Sequence, residues 1–212
     1  AILIVACNGG GAGASVSNNS TVPVINQNNL NLIFTQTLEE STPNSNLSVK
    51  GFNHSLLLGQ LINQITAGQV ESIFAQEPFS NPNAQGIPSM SSAQSIENYA
   101  VLNTAPLNVV LDNNLLDVLS FINENIIANN LSGNYVFNLP AALINEVLGT
   151  MSISPTLYFN YTPISNVNQY VILSFDRLQS ATATTYNDNL NPSNSYPQLN
   201  LKTGAQCLQQ SY

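Results

Sequence analysis

The sequence predicts an α/β fold, a three-layer α/β/α sandwich with a mostly parallel central sheet. Short apolar runs alternate along the chain with longer segments of helical periodicity, and loops rich in Pro, Asn and Gly separate them. The length of 212 residues and the hydrophobic fraction of 43% suffice for one domain with its own core. No internal repeat is visible.

The first half of the chain begins with a linker and continues as alternating strands and helices. Residues 8–29 are rich in Gly, Ser and Asn without periodicity, which is typical of a linker. Five elements follow: strand Leu30–Thr35, helix Val49–Ile65, strand Val70–Ala75, helix Ser91–Leu102 and strand Leu107–Leu111. Ser48 is a suitable N-cap for the first helix, and Gly68 lies near its end.

The second half continues the alternation and then becomes polar. Its predicted elements are helix Asn114–Asn129, strand Tyr135–Phe137, helix Ala141–Met151 and strand Tyr170–Phe175. Residues after Gln179 are polar and include Pro192 and Pro197, which predicts a poorly packed tail. We therefore divide the chain into a leader and tether (1–29), a domain (30–178) and a polar C-terminal tail (179–212).

Positive charge is nearly absent from this sequence. The chain has three cationic residues, Lys50, Arg177 and Lys202, against eleven acidic ones, which gives a net charge of −8. Nucleic acids and anionic membrane surfaces require clustered Lys and Arg, so neither is an expected partner. His54 is the one histidine in the sequence, and we expect it at the surface or in a helix cap.

The N-terminus resembles the end of a bacterial lipoprotein signal peptide. Ile4-Val5-Ala6-Cys7 fits a lipobox, and the Gly-rich stretch after it fits a tether. The resemblance implies a lipid anchor at Cys7 and an extracytoplasmic location in the outer membrane or periplasm. A buried first strand is the alternative interpretation, and a Cys7–Cys207 disulfide is the competing use of the cysteines.

The order of elements resembles the histidine phosphatase (phosphoglycerate mutase-like) superfamily. That family has an apolar strand ending in Arg-His-Gly, a loop with Leu-Thr-x-x-Gly before a helix, and a later strand ending in Ser-His-Gly-Gly. The segments that carry the resemblance are Leu32–Glu39, Leu47–Gly51, Ile73–Ala75, Asn134–Leu143 and Val171–Asp176. The match covers roughly residues 30–177 and implies the fold predicted above.

The first catalytic motif of the family is replaced in this chain. Carried over by position, the family's arginine falls on Gln36, its nucleophilic histidine on Thr37 and the following glycine on Leu38. The chemistry requires an imidazole nucleophile and guanidinium groups that hold the phosphoryl oxygens. None of these three side chains supplies either group.

The remaining catalytic positions are replaced as well. The second arginine falls near Ser91, and the second histidine falls on Leu139, with Pro140 and Ala141 at the two glycines. With Asn138 added, the resemblance implies a vestigial pocket of neutral residues at the carboxyl ends of two strands, where such sheets bind ligands. Its predicted residues are Gln36, Thr37, Leu38, Ser91, Asn138 and Leu139.

Three functions remain open from the sequence. The first is a non-catalytic, histidine-phosphatase-like envelope lipoprotein that binds a neutral polar ligand or a partner, or serves a structural role. The others are a hydrolase with a different mechanism in the same crevice and an adhesive or structural surface subunit. No cofactor or metal is expected, since Glu39-Glu40 is the only adjacent acidic pair and no grouped His or Cys accompanies it.

Overall fold

The computed structural model describes residues 22–41, 46–78, 89–130, 132–155, 157–176, 178 and 180–195. The strands in these ranges are β1 (Leu30–Gln36), β2 (Ser72–Gln76), β3 (Leu107–Leu111), β4 (Gly133–Leu139), β5 (Gln169–Phe175) and β6 (Ala181–Asn187). The helices are α1 (Val49–Thr66), α2 (Ser91–Asn103), α3 (Leu115–Phe121) with a π-helical continuation at Ile122–Ile127, and α4 (Ala141–Ser152). Cys7, Cys207, Arg177 and Lys202 lie outside the described residues.

The strands form one mixed sheet in the order β3-β2-β4-β1-β5-β6. The first four strands in this order are parallel to one another, β5 is antiparallel to β1, and β6 is antiparallel to β5. The central pair β1 and β4 runs in register from Leu30 opposite Gly133 to Gln36 opposite Leu139. The predicted mostly parallel sheet is confirmed, and the carboxyl ends of β1 and β4 lie side by side.

Alternate residues of the central strands pack into two separate cores, which makes the three layers. Ile33 faces α1 and α2, whereas Leu32 and Phe34 face α3 and α4. On the second face Phe34 and Phe74 each stack on Phe137, with ring centroids 5.2 Å apart in both pairs. Burial on both faces explains the uninterrupted apolar runs Leu32–Phe34 and Tyr135–Phe137 in the middle of β1 and β4.

Helix α1 begins and ends close to its predicted bounds. Ser48 caps it, because the Ser48 hydroxyl accepts a 3.0 Å hydrogen bond from the backbone N–H of Gly51. At the other end Ala67 adopts a left-handed conformation with φ of 52° and its N–H bonds to the backbone carbonyl of Gln64. None of the described helices has the length and hydropathy that crossing a bilayer requires.

The predicted helix Asn114–Asn129 changes its geometry halfway. It is α-helical to Phe121 and π-helical from Ile122 to Ile127. Three asparagine side chains donate to backbone carbonyls in this region, namely Asn125, Asn129 and Asn130. Such side chains compete with the backbone for its hydrogen bonds, so a wider turn is accommodated here.

The expectation of a poorly packed tail after Gln179 is wrong for residues 180–195. Strand β6 pairs with β5 along its whole length, from Gln169 opposite Asn187 to Phe175 opposite Ala181. Beyond the strand, Asp188 and Leu190 are buried. The sheet therefore extends past the predicted domain boundary at residue 178, and the predicted tail from residue 196 onward lies outside the described residues.

Candidate functional site

The carboxyl ends of β1 and β4 bring most of the predicted site residues together. The backbone N–H of Thr37 donates a 3.1 Å hydrogen bond to the carbonyl of Leu139, which continues the strand pairing by one residue. The positions that the resemblance assigns to the two catalytic histidines, Thr37 and Leu139, are therefore direct neighbours. Asn138 lies opposite Thr35 in the same ladder.

Helix α2 covers these strand ends with three serine side chains. Ser92 accepts from the N–H of Gln76 at 3.0 Å and donates to the carbonyl of Asn138 at 2.8 Å. Ser95 accepts from the N–H of Leu38 at 3.0 Å. Ser91 begins the helix and donates to the Glu40 carboxylate. The N-terminal half of α2 thus joins the segments at the ends of β1, β2 and β4.

The side chains at the predicted site are mostly buried and bonded to the protein. Gln36 donates to the carbonyls of Asn166 and Gln169, the latter at 2.8 Å. Leu38 and Leu139 are buried apolar side chains. No side chain among these supplies the guanidinium or imidazole that phosphoryl transfer through histidine requires.

Two polar atoms among the predicted site residues are exceptions. Thr37 Oγ1 and Asn138 Oδ1 are buried, and neither has a hydrogen-bond partner within the described part of the chain. The Asn138 amide nitrogen, in contrast, donates to Thr35 Oγ1 and to the carbonyl of Gln36, both at 3.0 Å. A buried polar atom without a partner is unfavourable by about 1–3 kcal/mol, so each such atom requires an explanation.

His54 lies outside this cluster and is buried rather than at the surface or in a cap, which corrects the sequence-based expectation. Its side chain is 0% exposed. Nδ1 lies 2.9 Å from Glu39 Oε2, and Nε2 lies 2.8 Å from Asp188 Oδ2. Lys50 Nζ lies 3.0 Å from the other oxygen of Glu39. The four side chains form a chain of alternating charge that joins α1, the turn after β1 and the turn after β6.

The charges in this network of four side chains favour a doubly protonated His54. Burial lowers the pKa of His54, but hydrogen bonds to Asp188 and Glu39, together with their charges, outweigh burial and raise the pKa to about 9. Burial raises the pKa of Glu39, but hydrogen bonds from His54 and Lys50 outweigh it and lower the pKa to about 2. At neutral pH both ring nitrogens therefore carry protons, and each proton is directed at a carboxylate.

An imidazolium in this setting has no lone pair with which to attack phosphorus or to accept a proton. His54 also cannot act as a metal ligand while both nitrogens are protonated. Within the described ranges, no three His, Cys, Asp or Glu side chains form a group that could hold a metal ion. The two carboxylates of the adjacent acidic pair bond to different partners: Glu39 bonds to His54 and Lys50, whereas Glu40 accepts from Ser91.

The sequence contained one signal for the burial of His54. Position 54 precedes Leu57, Leu58 and Leu61 by three, four and seven residues, which places it on the apolar face of α1. The partner Asp188 had no such signal, because it is 134 residues away and follows the strand that the sequence did not predict.

The fold is that of solved histidine phosphatases. The structure of the protein histidine phosphatase SixA complexed with tungstate is 11% identical, with a TM-score of 0.53, over 75% of this chain and 97% of that chain. This similarity confirms the fold that the resemblance predicted.

Two further solved structures align over similar lengths. A protein described as Mycobacterial hydrolase 1 is 9% identical, with a TM-score of 0.47, over 79% of this chain and 98% of that chain. A phosphoglycerate mutase from Plasmodium falciparum is 10% identical, with a TM-score of 0.42, over 81% of this chain and 98% of that chain. No protein-family model and no curated protein matches the sequence.

Proposed function

We propose that this chain is a non-catalytic protein with the histidine phosphatase fold, which binds a neutral polar ligand or a partner, or serves a structural role, on the bacterial envelope. One observation carries the proposal. The sequence contains a single histidine, and both ring nitrogens of that histidine are bonded to carboxylates. A mechanism through phosphohistidine requires a neutral imidazole with a free lone pair.

The strand ends support the same proposal. Thr37 and Leu139 occupy the positions that the resemblance assigns to the two histidines. Thr37 has a hydroxyl group there, and Leu139 is a buried aliphatic side chain. Removing a single oxyanion donor slows an enzyme by about 10²–10³. Loss of the nucleophile together with the cationic donors leaves no route for phosphoryl transfer through histidine.

The cationic groups of the described residues are also committed elsewhere. Lys50 pairs with Glu39, and His54 lies between Glu39 and Asp188. A phosphate group would therefore meet hydroxyl and amide groups at the strand ends rather than guanidinium groups. A neutral polar ligand suits this environment better than an anion.

A phosphatase assay tests the proposal. The full chain is incubated with a generic aryl phosphate over a range of pH values, alongside Thr37→Ala and Ser91→Ala variants. We expect no turnover above the rate without protein. Turnover that Thr37→Ala abolishes would overturn the proposal in favour of a hydrolase in this crevice. Turnover that Ser91→Ala abolishes would do the same and would identify the serine beside Glu40 as the reacting group.

The envelope location rests on the lipobox at residues 4–7 and the Gly-rich tether after it. We expect radioactive palmitate to label the chain at Cys7 when it is expressed with a complete signal peptide in bacteria. Cys7→Ser should abolish the label, and Cys207→Ser should retain it. An unlabelled wild-type chain would contradict the lipoprotein assignment and would leave Cys7 available for a disulfide with Cys207.

A further inference from the structure

The carbonyl oxygen of the Asn138 side chain is held in a fixed direction without a partner. Asn138 is 0% exposed. Its amide nitrogen donates to Thr35 Oγ1 and to the Gln36 carbonyl. The Thr35 hydroxyl itself donates to the Phe137 carbonyl at 3.2 Å, so it accepts from Asn138. Rotating the amide by half a turn would place oxygen against the Gln36 carbonyl. The unpartnered atom is therefore an acceptor.

Thr37 follows the last residue of β1, and its backbone N–H bonds to Leu139, the residue after Asn138. Thr35 and Thr37 are two residues apart in sequence, and Asn138 is opposite Thr35 in the parallel ladder. Two buried and unpartnered polar groups, Thr37 Oγ1 and Asn138 Oδ1, thus lie at the carboxyl ends of neighbouring strands.

The nearby serine hydroxyls do not supply the missing hydrogen bonds, because they donate to other acceptors. Ser92 Oγ donates to the Asn138 backbone carbonyl, and Ser95 Oγ donates to the carbonyl of Ser91. Each also accepts from a backbone N–H. Neither hydroxyl has a proton left for Asn138 Oδ1.

At the opposite end of the same strand pair, buried asparagine side chains have hydrogen-bond partners for all their polar atoms. Asn31 and Asn134 are buried there, and Asn31 donates to Asn134 Oδ1 at 2.9 Å. Ser174 donates to Asn31 Oδ1, and Asn134 donates to Gln27 and to the carbonyl of Gln69. Every side-chain polar atom of the two asparagines has a partner. Asn138, whose side-chain oxygen has no partner, lies instead at the sheet edge where ligands bind in α/β folds.

We infer that the strand ends at Thr37 and Asn138 bind a small uncharged molecule that carries a carboxamide-type group. Such a group pairs an N–H donor, for Asn138 Oδ1, with a carbonyl acceptor, for the Thr37 hydroxyl. Phosphate would instead bring a negative charge to atoms that no described cationic side chain accompanies, because Lys50 and His54 pair with Glu39 and Asp188. The inference rests on the proposed non-catalytic function and specifies the class of ligand.

The burial of both groups sets the size of the ligand. Because Asn138 has no exposed surface and Thr37 Oγ1 is buried, the molecule is small and enters by a local opening at the sheet edge. A free amide or urea meets this requirement more easily than the side chain of a folded partner. A ligand of so few atoms binds weakly, so saturation is expected only at high concentration.

Titration by NMR tests the inference on the full chain. Acetamide, inorganic phosphate and an asparagine-containing tripeptide are each added to ¹⁵N-labelled protein. We expect acetamide to shift the side-chain amide signals of Asn138 and the backbone signal of Thr37 in a saturable manner, and to leave the side-chain signals of Asn31 and Asn134 in place. Saturable binding of the tripeptide as well would support the carboxamide class and show that a polypeptide can supply the group.

A pair of threonine variants provides the matched control. Thr37→Val removes a hydroxyl without a partner, so the fold is expected to persist, and a tenfold or greater loss of acetamide affinity is expected. Thr66→Val makes the same chemical change at a hydroxyl that bonds to Ile62 and Tyr99, and should leave acetamide affinity unchanged.

Three results would overturn the inference: no saturable shift with acetamide, stronger binding of phosphate than of acetamide, or unchanged acetamide affinity in Thr37→Val. Aryl phosphate turnover would refute the proposed non-catalytic function whether or not acetamide binds. Absence of both turnover and acetamide binding would refute the ligand class alone.

Discussion

His54 lies where α1, the turn after β1 and the turn after β6 meet. A histidine on an exposed helix face would titrate near its ordinary pKa of 6.5, whereas the two carboxylates around this one raise its pKa to about 9. Histidine serves as the nucleophile in phosphohistidine chemistry. In this protein, the histidine instead holds three segments of the chain together. Its role is set by its neighbours rather than by its identity.

Substitution of His54 by glutamine should destabilise the protein strongly. It removes the positive charge between Glu39 and Asp188, and the Asp188 side chain is only 3% exposed. Breaking a buried ion pair by removing one member costs about 3–5 kcal/mol. Urea denaturation of His54→Gln should show a free energy of unfolding lowered by this amount.

Lys50→Gln is the control, because it removes the other cation that contacts Glu39. The Lys50 side chain is 40% exposed, so its loss should cost about 0–1 kcal/mol. Equal destabilisation by the two variants would contradict the view that the buried histidine, rather than the surface lysine, holds the carboxylates.

At the scale of the element, the start of α1 packs directly on the turn that follows β1. A Cβ atom added at Gly51 would lie 2.1 Å from the backbone carbonyl oxygen of Glu39. The Ser48 hydroxyl also donates to that oxygen at 2.9 Å. Only a glycine allows this approach, which places Glu39 within reach of both His54 and Lys50.

Gly51→Ala should therefore push α1 away from the turn. We expect a loss of about 1–3 kcal/mol in the free energy of unfolding, as is typical of overpacking. Gly149→Ala in α4 is the matched control, because its Cβ would lie 3.6 Å from Tyr161 Oη, an ordinary contact. This control should be neutral or stabilise the protein by roughly 0.5–1 kcal/mol. Thermal melting measures the stability of both variants. Equal melting temperatures for Gly51→Ala and Gly149→Ala would contradict the importance of the close approach of α1.

The strongly periodic elements could be predicted from sequence, and the weakly patterned ones could not. Helices α1, α2 and α4 match their predictions closely because large apolar residues recur at helical spacing. Strand β6 has the sequence ATATTYN, which contains small residues and threonine but no aliphatic run. It is a strand because β5 offers an unpaired edge, and that information is not local to the segment.

At the scale of the whole molecule, the neutral polar composition appears inside the fold as well as along the sequence. Asparagine, serine and threonine side chains bond the ends of the central strands, while the buried charged groups of the described residues belong to one network around His54. The fold and the convergence of Thr37 with Leu139 followed from the resemblance. The charge network did not, because it depends on a contact between residues 134 positions apart.

The pH dependence of stability should reflect this network. The contribution of His54 is fully present below its ordinary pKa of 6.5 and is lost as the pH rises through about 9. The contribution of Glu39 is fully present above its ordinary pKa of 4.5 and is lost as the pH falls through about 2. Urea midpoints should therefore be highest between pH 4.5 and 6.5 and decline on both sides.

Asp188→Asn should move the alkaline decline to lower pH, because a charged partner that raises the pKa of His54 is gone. If the urea midpoint of the wild-type protein stays constant from pH 6.5 to 9, folding does not raise the pKa of His54, and this prediction is wrong.

The protonation state of His54 decides whether the one histidine of this chain can act as a nucleophile. The ¹⁵N chemical shifts of its ring nitrogens, followed by NMR as a function of pH, report this state. We predict that both nitrogens carry protons at neutral pH and that the transition occurs near pH 9. An unprotonated ring nitrogen at neutral pH, with a transition at or below pH 6.5, would show that His54 has the lone pair that a nucleophile requires.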